Sequence, residues 1–219
     1  MMAGLAIVWS QRDLVLSGFY NTVLLTLACL AISLPLGVLG AVFLLEAPNR
    51  LRRICAAFVD LLRCVPFLLL AYVVYYGLPE LGLRFEAWGA GLITLVIYNT
   101  AYLIEIFRSA GMVLPREELE AARAFGLTTP LIYRRIVLPQ IALSAAPVVG
   151  NQVIVMIKDS ALLMIITVQE LTFAANFLST NYFTPFAPFA VAMLLYWSLC
   201  LIVELVVGRL IRLRRSRHG

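Results

Sequence analysis

The chain has 219 residues, 63% of them hydrophobic and 13% charged, and carries a net charge of +5 with a mean hydropathy of +0.96. Soluble domains carry charge on about a quarter of their residues, so this composition excludes an ordinary soluble protein and makes the lipid bilayer the chain's solvent. The positive balance does not point to nucleic acid, because the basic residues sit in short clusters between apolar runs rather than on one extended face.

The chain opens on "MMAGLAIVWSQRDLVLSGFY", which has no basic segment ahead of its short apolar patch; a short interfacial helix is expected there, not a secretory signal. A helix needs about 20 residues to cross roughly 30 Å of hydrocarbon. Apolar runs at about 20–45, 54–78, 87–107, 139–166 and 186–210 therefore predict an all-α, polytopic membrane protein with five transmembrane helices, forming a single domain over 1–219. Cys29, Cys55, Cys64 and Cys200 lie in apolar stretches without a CxxC pair and are expected as buried small hydrophobes.

Five crossings leave the two ends of the chain on opposite sides. Arginines cluster in "APNRLRR" (Arg50, Arg52, Arg53), in 108–138 (Arg108, Arg116, Arg123, Arg134, Arg135) and in the tail (Arg209, Arg212, Arg214, Arg215, Arg217), thirteen of the 17 basic residues. These are alternate connections, so all three fall on one side, and the excess of arginine marks that side as cytoplasmic. The N-terminus is then expected in the periplasm and the C-terminus in the cytoplasm.

A phosphate-cradling loop needs glycines and a lysine before Ser or Thr. The one lysine, Lys158, follows "VIVMI", and the one histidine, His218, ends the basic tail. Neither an ATP site of that kind nor a histidine-based catalytic or metal centre is expected, and no residue is assigned a catalytic role.

Several polar residues fall inside the apolar runs, where an ionisable group costs about 2.5–3.5 kcal/mol and commonly faces a cavity or a partner. Arg63 stands three residues before Pro66, which removes a helical hydrogen bond at a depth where freed backbone groups are tolerated beside a wet cavity. Two roles are open to Arg63: pairing with Asp60 or helix-end carbonyls, and binding a substrate carboxylate. Lys158 and Asp159 are adjacent on one helix and point apart. They and Glu170 are either solvated at the interface or part of a polar vestibule. Asn99, Asn151 and Gln152 are able to line such a path or to hold two helices together, in a contact worth roughly 1 kcal/mol.

The connection 112–138 contains "ELEAARAFGLTTPLIYRRIVLPQ". Pro115 and the glutamates after it suit a helix start, Gly126 a sharp reversal, and Thr128 or Thr129 a new N-cap before "PLIYRRIV", a second helix expected to end near Pro139. Small residues at Ala121 and Ala122 would let another protein approach closely, with Glu120 and Arg123 offering charge to it.

The spacing Glu120-Ala121-Ala122, three residues, Gly126, nine residues, Ile136-x-Leu138-Pro139 matches the "EAA" motif and resembles the permease subunits of ATP-binding-cassette importers. "AYLIEIFRSA", "DLLRCVPFLLL" and "PVVGNQVIVMIKDSALL" extend the likeness to the polar amino acid permeases for histidine, glutamine, arginine and opines, with the methionine- and peptide-type permeases as the alternative. A self-sufficient secondary transporter is the less favoured reading, since no internal repeat is found. The resemblance implies the MetI-like fold of type I importers, with the 112–138 loop as a cytoplasmic coupling helix-turn-helix. Glu120, Ala121, Ala122, Arg123, Gly126, Leu138 and Pro139 would then dock on an ATPase. Arg63, Pro66, Asn99, Asn151, Lys158, Asp159, Ser160 and Glu170 would line the substrate pathway. It further implies two ATPase subunits that hold ATP and Mg, no cofactor in this chain, a second permease subunit that is a sister or a copy, a periplasmic binding protein and a bacterial inner membrane location.

Overall fold

The structure, a computed structural model, describes residues 2–218; the side chains of Met2, Ala3 and Arg116, and those from Leu213 onward, including Arg214, Arg215, Arg217 and His218 of the basic tail, lie outside the described residues. Every element among the described residues is helical. Helix α1 (Met2–Ser10) precedes α2 (Arg12–Glu46), then α3 (Asn49–Cys64), α4 (Phe67–Tyr72), a π-helical turn (Val73–Gly77) and α5 (Leu78–Glu80). Helices α6 (Ala87–Met112), α7 (Arg116–Ala124) and α8 (Thr129–Ile132) follow. A second π-turn (Tyr133–Val137) leads into α9 (Leu138–Ser160), which continues as a 3-10 segment (Ala161–Ile166) before α10 (Leu171–Asn181) and α11 (Ala187–His218).

Among the described residues, four helical stretches are long and apolar enough to cross a bilayer: Arg12–Glu46, Ala87–Met112, Thr129–Ile166 and Ala187–Arg212. The pair Asn49–Cys64 and Phe67–Glu80 makes a fifth if its two halves, bent by 99°, count as one span. Close contacts fix the directions. Gly37 meets Leu103, Gly40 meets Ile104 and Gly111 meets Leu45, so α2 and α6 run parallel. Gly111 also meets Ile141, and Gln152 bonds Asn99, so α9 runs the opposite way. Parallel α2 and α6 require residues 47–86 to carry the chain back between them, which the bent pair does. We call the end that holds the start of α3 and α7–α8 the basic end.

The expected second span over 54–78 is two helices meeting at a corner, at the Pro66 where a helical hydrogen bond was expected to be lost. Pro66 has no N–H, and Val65 ahead of it is held extended at φ −76°, ψ 132°. The expected second helix of the polar loop is corrected: it does not end near Pro139 but runs unbroken into α9. Proline in a helix interior clashes with the carbonyl four residues back. Here the turn before it widens to the π form, which takes up one more residue. The same arrangement occurs at Val73–Gly77, where Leu78-Pro79 follows as Leu138-Pro139 does here. The expected N-terminal helix is α1, whose Gly4 abuts Ala187 of α11.

Three apolar clusters stack along the bundle. Phe107, Ala122, Ile132, Val137 and Ile141 form the one at the basic end; Leu25, Phe67, Leu95, Met156 and Leu163 fill the middle; Val8, Val15, Leu171 and Leu178 close the far end. Helix α10 was not foreseen. It packs on α2 so closely that Gly18 lies against the carbonyl of Glu170. The Glu170 carboxylate caps α10, accepting from the backbone N–H groups of Phe173 at 2.7 Å and Thr172 at 2.9 Å and from the hydroxyl of Tyr196 on α11. Thr22 of α2 accepts from the Leu171 N–H at 3.1 Å. One fully buried carboxylate therefore fastens α10 to α11, beside the Thr22 tie to α2.

A Cβ placed on Gly37 would stand 2.6 Å from the Leu103 Cβ, an atom that cannot swing aside. Gly37→Val is expected to lower stability by about 1–3 kcal/mol, read as a lower thermal midpoint in detergent. Gly77→Ala, whose new methyl would meet only Val73 at 3.8 Å, should change stability by less than about 0.5 kcal/mol. Burial pushes the Glu170 carboxyl above the ordinary carboxylate range despite its three donors. The folded chain then keeps a proton that the unfolded chain has already lost. The stability linked to that proton is fully present below the unfolded value, near pH 4.3, and is lost as pH rises through the folded pKa. Thermal midpoints measured across this range should fall for the wild type relative to Glu170→Gln, whereas Glu170→Ala should cost about 1–3 kcal/mol at every pH through the lost cap and the stranded Tyr196 hydroxyl.

Candidate functional site

The polar loop is built as a hairpin whose second arm is rigidly joined to a span. Helix α7 ends in a Schellman turn: the Leu127 N–H donates to the Ala122 carbonyl at 3.2 Å and the Gly126 N–H to the Arg123 carbonyl at 2.9 Å. Gly126 makes this possible by adopting φ +76°, with open space where a side chain would point. Thr128 then precedes Thr129-Pro130, a proline-led helix start. Gln140 donates to Glu118 at 2.6 Å and closes the hairpin onto α9.

Of the expected docking residues, Glu120, Ala121, Arg123, Gly126 and Pro139 are exposed, and Leu138 is half-buried. Ala122 is 4% exposed and packs into the basic-end core, while also reaching the wall of the groove beside Phe125. Its small size lets the hairpin lie close on the bundle. Phe125, by contrast, is 87% exposed at the tip. It borders a groove of about 720 Å³ that also takes in Ala121, Arg135, Ile136 and Pro139. Its signal in the sequence was a bulky aromatic beside the glycine of a polar turn.

The expected pathway residues divide. Arg63 lies in the last turn of α3, ahead of the corner at Pro66, and pairs with Asp60 at 3.0 Å. Its guanidinium lies over the Tyr102 ring, 5.3 Å from the centroid. The Tyr102 hydroxyl donates to the Arg63 carbonyl at 3.1 Å, satisfying an acceptor that the broken helix leaves unpaired. Tyr98 and Tyr102 lie one turn apart, their rings 5.0 Å between centroids and tilted by 50°, with hydroxyls 3.3 Å from each other. Two atoms here are buried without a hydrogen-bond partner: Nε of Arg63 and Oδ2 of Asp159. The first belongs to the side chain that lies over Tyr102, the second to α9, which packs along α6.

Towards the basic end, Arg63, Tyr102, Glu105 and Ser109 line a cleft of about 480 Å³ with Ser144 and Val148. Glu105 accepts from Arg108 at 2.7 and 2.8 Å and from Ser109 at 3.0 Å. Residues 144, 148, 151, 155 and 159 recur at helical spacing, so Asn151, which is exposed, shares a face of α9 with the cleft wall and with Asp159.

The remaining expected residues lie elsewhere. Asn99 is buried, donates to the Leu95 carbonyl at 2.9 Å and accepts from Gln152 at 2.8 Å, fastening α6 to α9. The buried Ser160 hydroxyl donates to the Ile157 carbonyl at 2.8 Å. Lys158 is exposed. Glu170 is the cap of α10 described above. Sequence reasoning missed Tyr98, Tyr102, Glu105 and Ser109, although their spacing inside an apolar run traces one polar stripe.

Residues 7–216 match the family described as the inner membrane component of binding-protein-dependent transport systems. The chain is 32% identical over 203 residues to the probable glutamine ABC transporter permease protein GlnM of Bacillus subtilis, covering 93% of each chain. It is 32% identical to the arginine ABC transporter permease protein ArtQ of Haemophilus influenzae, covering 93% of this chain and 97% of that one. It is likewise 32% identical to the octopine transport system permease protein OccQ of Rhizobium radiobacter, covering 85% and 82%. Among solved structures, a crystal structure of an amino acid ABC transporter with histidines superposes with a TM-score of 0.86 at 25% identity over 95% of this chain and 97% of that chain. The methionine ABC transporter MetNI, inward facing, shares the fold with a TM-score of 0.74 at 20% identity over 93% and 97%. With its MetI-like helical architecture and its match from residue 7 to residue 216, the chain belongs to the multi-pass inner membrane permeases of ABC transporters, a family that works with an ATPase and a substrate-binding protein.

Proposed function

We propose that this permease moves a polar amino acid, or an amino acid derivative such as an opine, into the cell, with the Arg63–Tyr102–Tyr98–Asp159 stripe as its path. The observation that carries the reading is that two atoms of opposite-charge side chains, Arg63 Nε and Asp159 Oδ2, are buried without a hydrogen-bond partner. A buried polar atom left unpaired costs about 1–3 kcal/mol. A zwitterion answers both: its carboxylate meets the guanidinium and its ammonium meets the aspartate. Relatives named for glutamine, arginine and octopine support that class of cargo.

In this reading the basic end faces the cytoplasm, which puts the N-terminus in the periplasm and the C-terminus inside. The α7–α8 hairpin enters a cleft on the ATPase, with Phe125, Glu120, Ala121 and Arg123 at the contact. ATP and Mg are held by two ATPase subunits and not by this chain, which performs no bond chemistry. A second permease, a sister chain or a copy, completes the path, and a periplasmic binding protein delivers cargo to the α10 end. Because α8 and α9 form one helix through the π-turn, movement of the hairpin turns the α9 face that carries Asn151 and Asp159.

The test is ATP hydrolysis and uptake by the assembled transporter in proteoliposomes, with the binding protein loaded in turn with glutamine, arginine and octopine. At least one cargo should stimulate hydrolysis; none doing so would sink the proposal. Asp159→Asn and Arg63→Gln should each lower stimulated hydrolysis at least tenfold, in keeping with truncation of one partner of a buried charge pair, while the ATPase still copurifies. Gly126→Val, forced into a left-handed conformation that costs roughly 1–2 kcal/mol, should weaken ATPase copurification instead.

A further inference from the structure

We propose that Tyr133 and Glu46 form a strut that couples the hairpin to α2, making them positioning residues for energy transfer; the inference rests on the permease reading above. The Tyr133 hydroxyl donates to Glu46 Oε1 at 2.5 Å across 87 residues of sequence. It is the one hydrogen bond between α2 and residues 113–137 among the described residues. The hairpin is continuous with α9 through the π-turn and tied to α9 again by Gln140 and Glu118. Helix α2, which lies along α6 through Gly37, Gly40 and Leu45, has no such link of its own. Without the strut, a push on the hairpin would move α9 directly and α2 only through side-chain packing.

The placement of Glu46 argues for a purpose beyond helix stability. It is the last residue of the 35-residue α2, where a carboxylate opposes the negative end of the helix dipole. Arg50, Arg52 and Arg53 follow within a few residues, yet Glu46 forms no ion pair among the described residues and accepts from a neutral phenol instead. Tyr133 is the first residue of the π-turn, and Pro139 keeps that turn from relaxing into a regular helix that would rotate the phenol away. An open cleft of about 520 Å³ lies beside the bond, lined by Glu46, Arg52, Arg108 and Tyr133. Ala41 and Leu45 of α2 pack on Ala122, Ile132 and Val137, and beside this apolar contact, at the edge of the cleft, the hydrogen bond is the polar tie that fixes the hairpin's direction relative to α2.

Two measurements test the strut. In the isolated permease in detergent, hydrogen–deuterium exchange over 116–132 should quicken roughly threefold to tenfold in Tyr133→Phe, consistent with loss of one charge-assisted hydrogen bond at a hydrated site. In the full transporter, with the binding protein loaded with glutamine, arginine or octopine, Tyr133→Phe and Glu46→Ala should lower stimulated ATP hydrolysis by a similar factor. Basal hydrolysis and ATPase copurification should stay unchanged, and Glu46→Gln, which keeps the acceptor, should retain at least half of the stimulation. Unchanged exchange and an unchanged ratio of stimulated to basal hydrolysis in Tyr133→Phe would overturn the strut, as would loss of ATPase copurification in that variant. A wild type that no cargo stimulates would count against the permease reading, and the exchange experiment would still decide on the strut.

Discussion

In hydrocarbon no water is present to take up a free N–H or C=O, so each peptide group must find its partner inside the protein. The regular parts of this chain obey by being helical. The instructive parts are the four departures: the corner at Val65-Pro66, the two π-turns and the 3-10 segment 161–166. Each has its compensation close by. At the corner, the Tyr102 hydroxyl takes the Arg63 carbonyl. The π-turns spread the ladder ahead of Pro79 and Pro139. The 3-10 segment ends at Thr167, whose φ of +63° is unusual for a β-branched residue, and the chain there is held by Asn21 donating to the Gln169 carbonyl at 2.8 Å. The residues proposed for the path sit where this demand for partners is met by side chains rather than by the helix itself.

Much of the architecture was legible because the bilayer imposes a length. Runs of about 20 apolar residues cannot be hidden, and the arginine clusters between them set the alternation of sides. What hydropathy could not register was direction within a run. Residues 54–78 read as one apolar stretch, although Pro66 turns it by 99°. Helix α10 was hidden for the opposite reason: at 11 residues it is too short to signal a span, and its glutamate cap is not among the residues that usually announce a helix start.

The site was half legible. Arg63 and Asp159 could be singled out because charge inside an apolar run is costly, and the glycine of the loop because its turn demanded it. Asn99, Ser160 and Glu170 carried the same signal and turned out to be satisfied within the protein, since composition alone does not distinguish a polar group that faces a path from one that ties two helices. The tyrosines were overlooked because an aromatic ring inside a membrane helix attracts no notice. Their hydroxyls matter only once the broken helix beside them is known.

Leu138-Pro139 and Leu78-Pro79 share one local solution, a turn that accommodates one residue more than a regular helix allows. In a regular helix each residue advances the azimuth by about 100°. The π-turn before Pro139 therefore sets the angle at which the hairpin leaves α9. That angle is recorded in the count of residues between Ile132 and Leu138, not in their chemistry. Homologous loops that differ at every side chain in this turn would still point the same way, whereas a single-residue deletion there would swing the hairpin to another bearing while leaving the span that carries it intact.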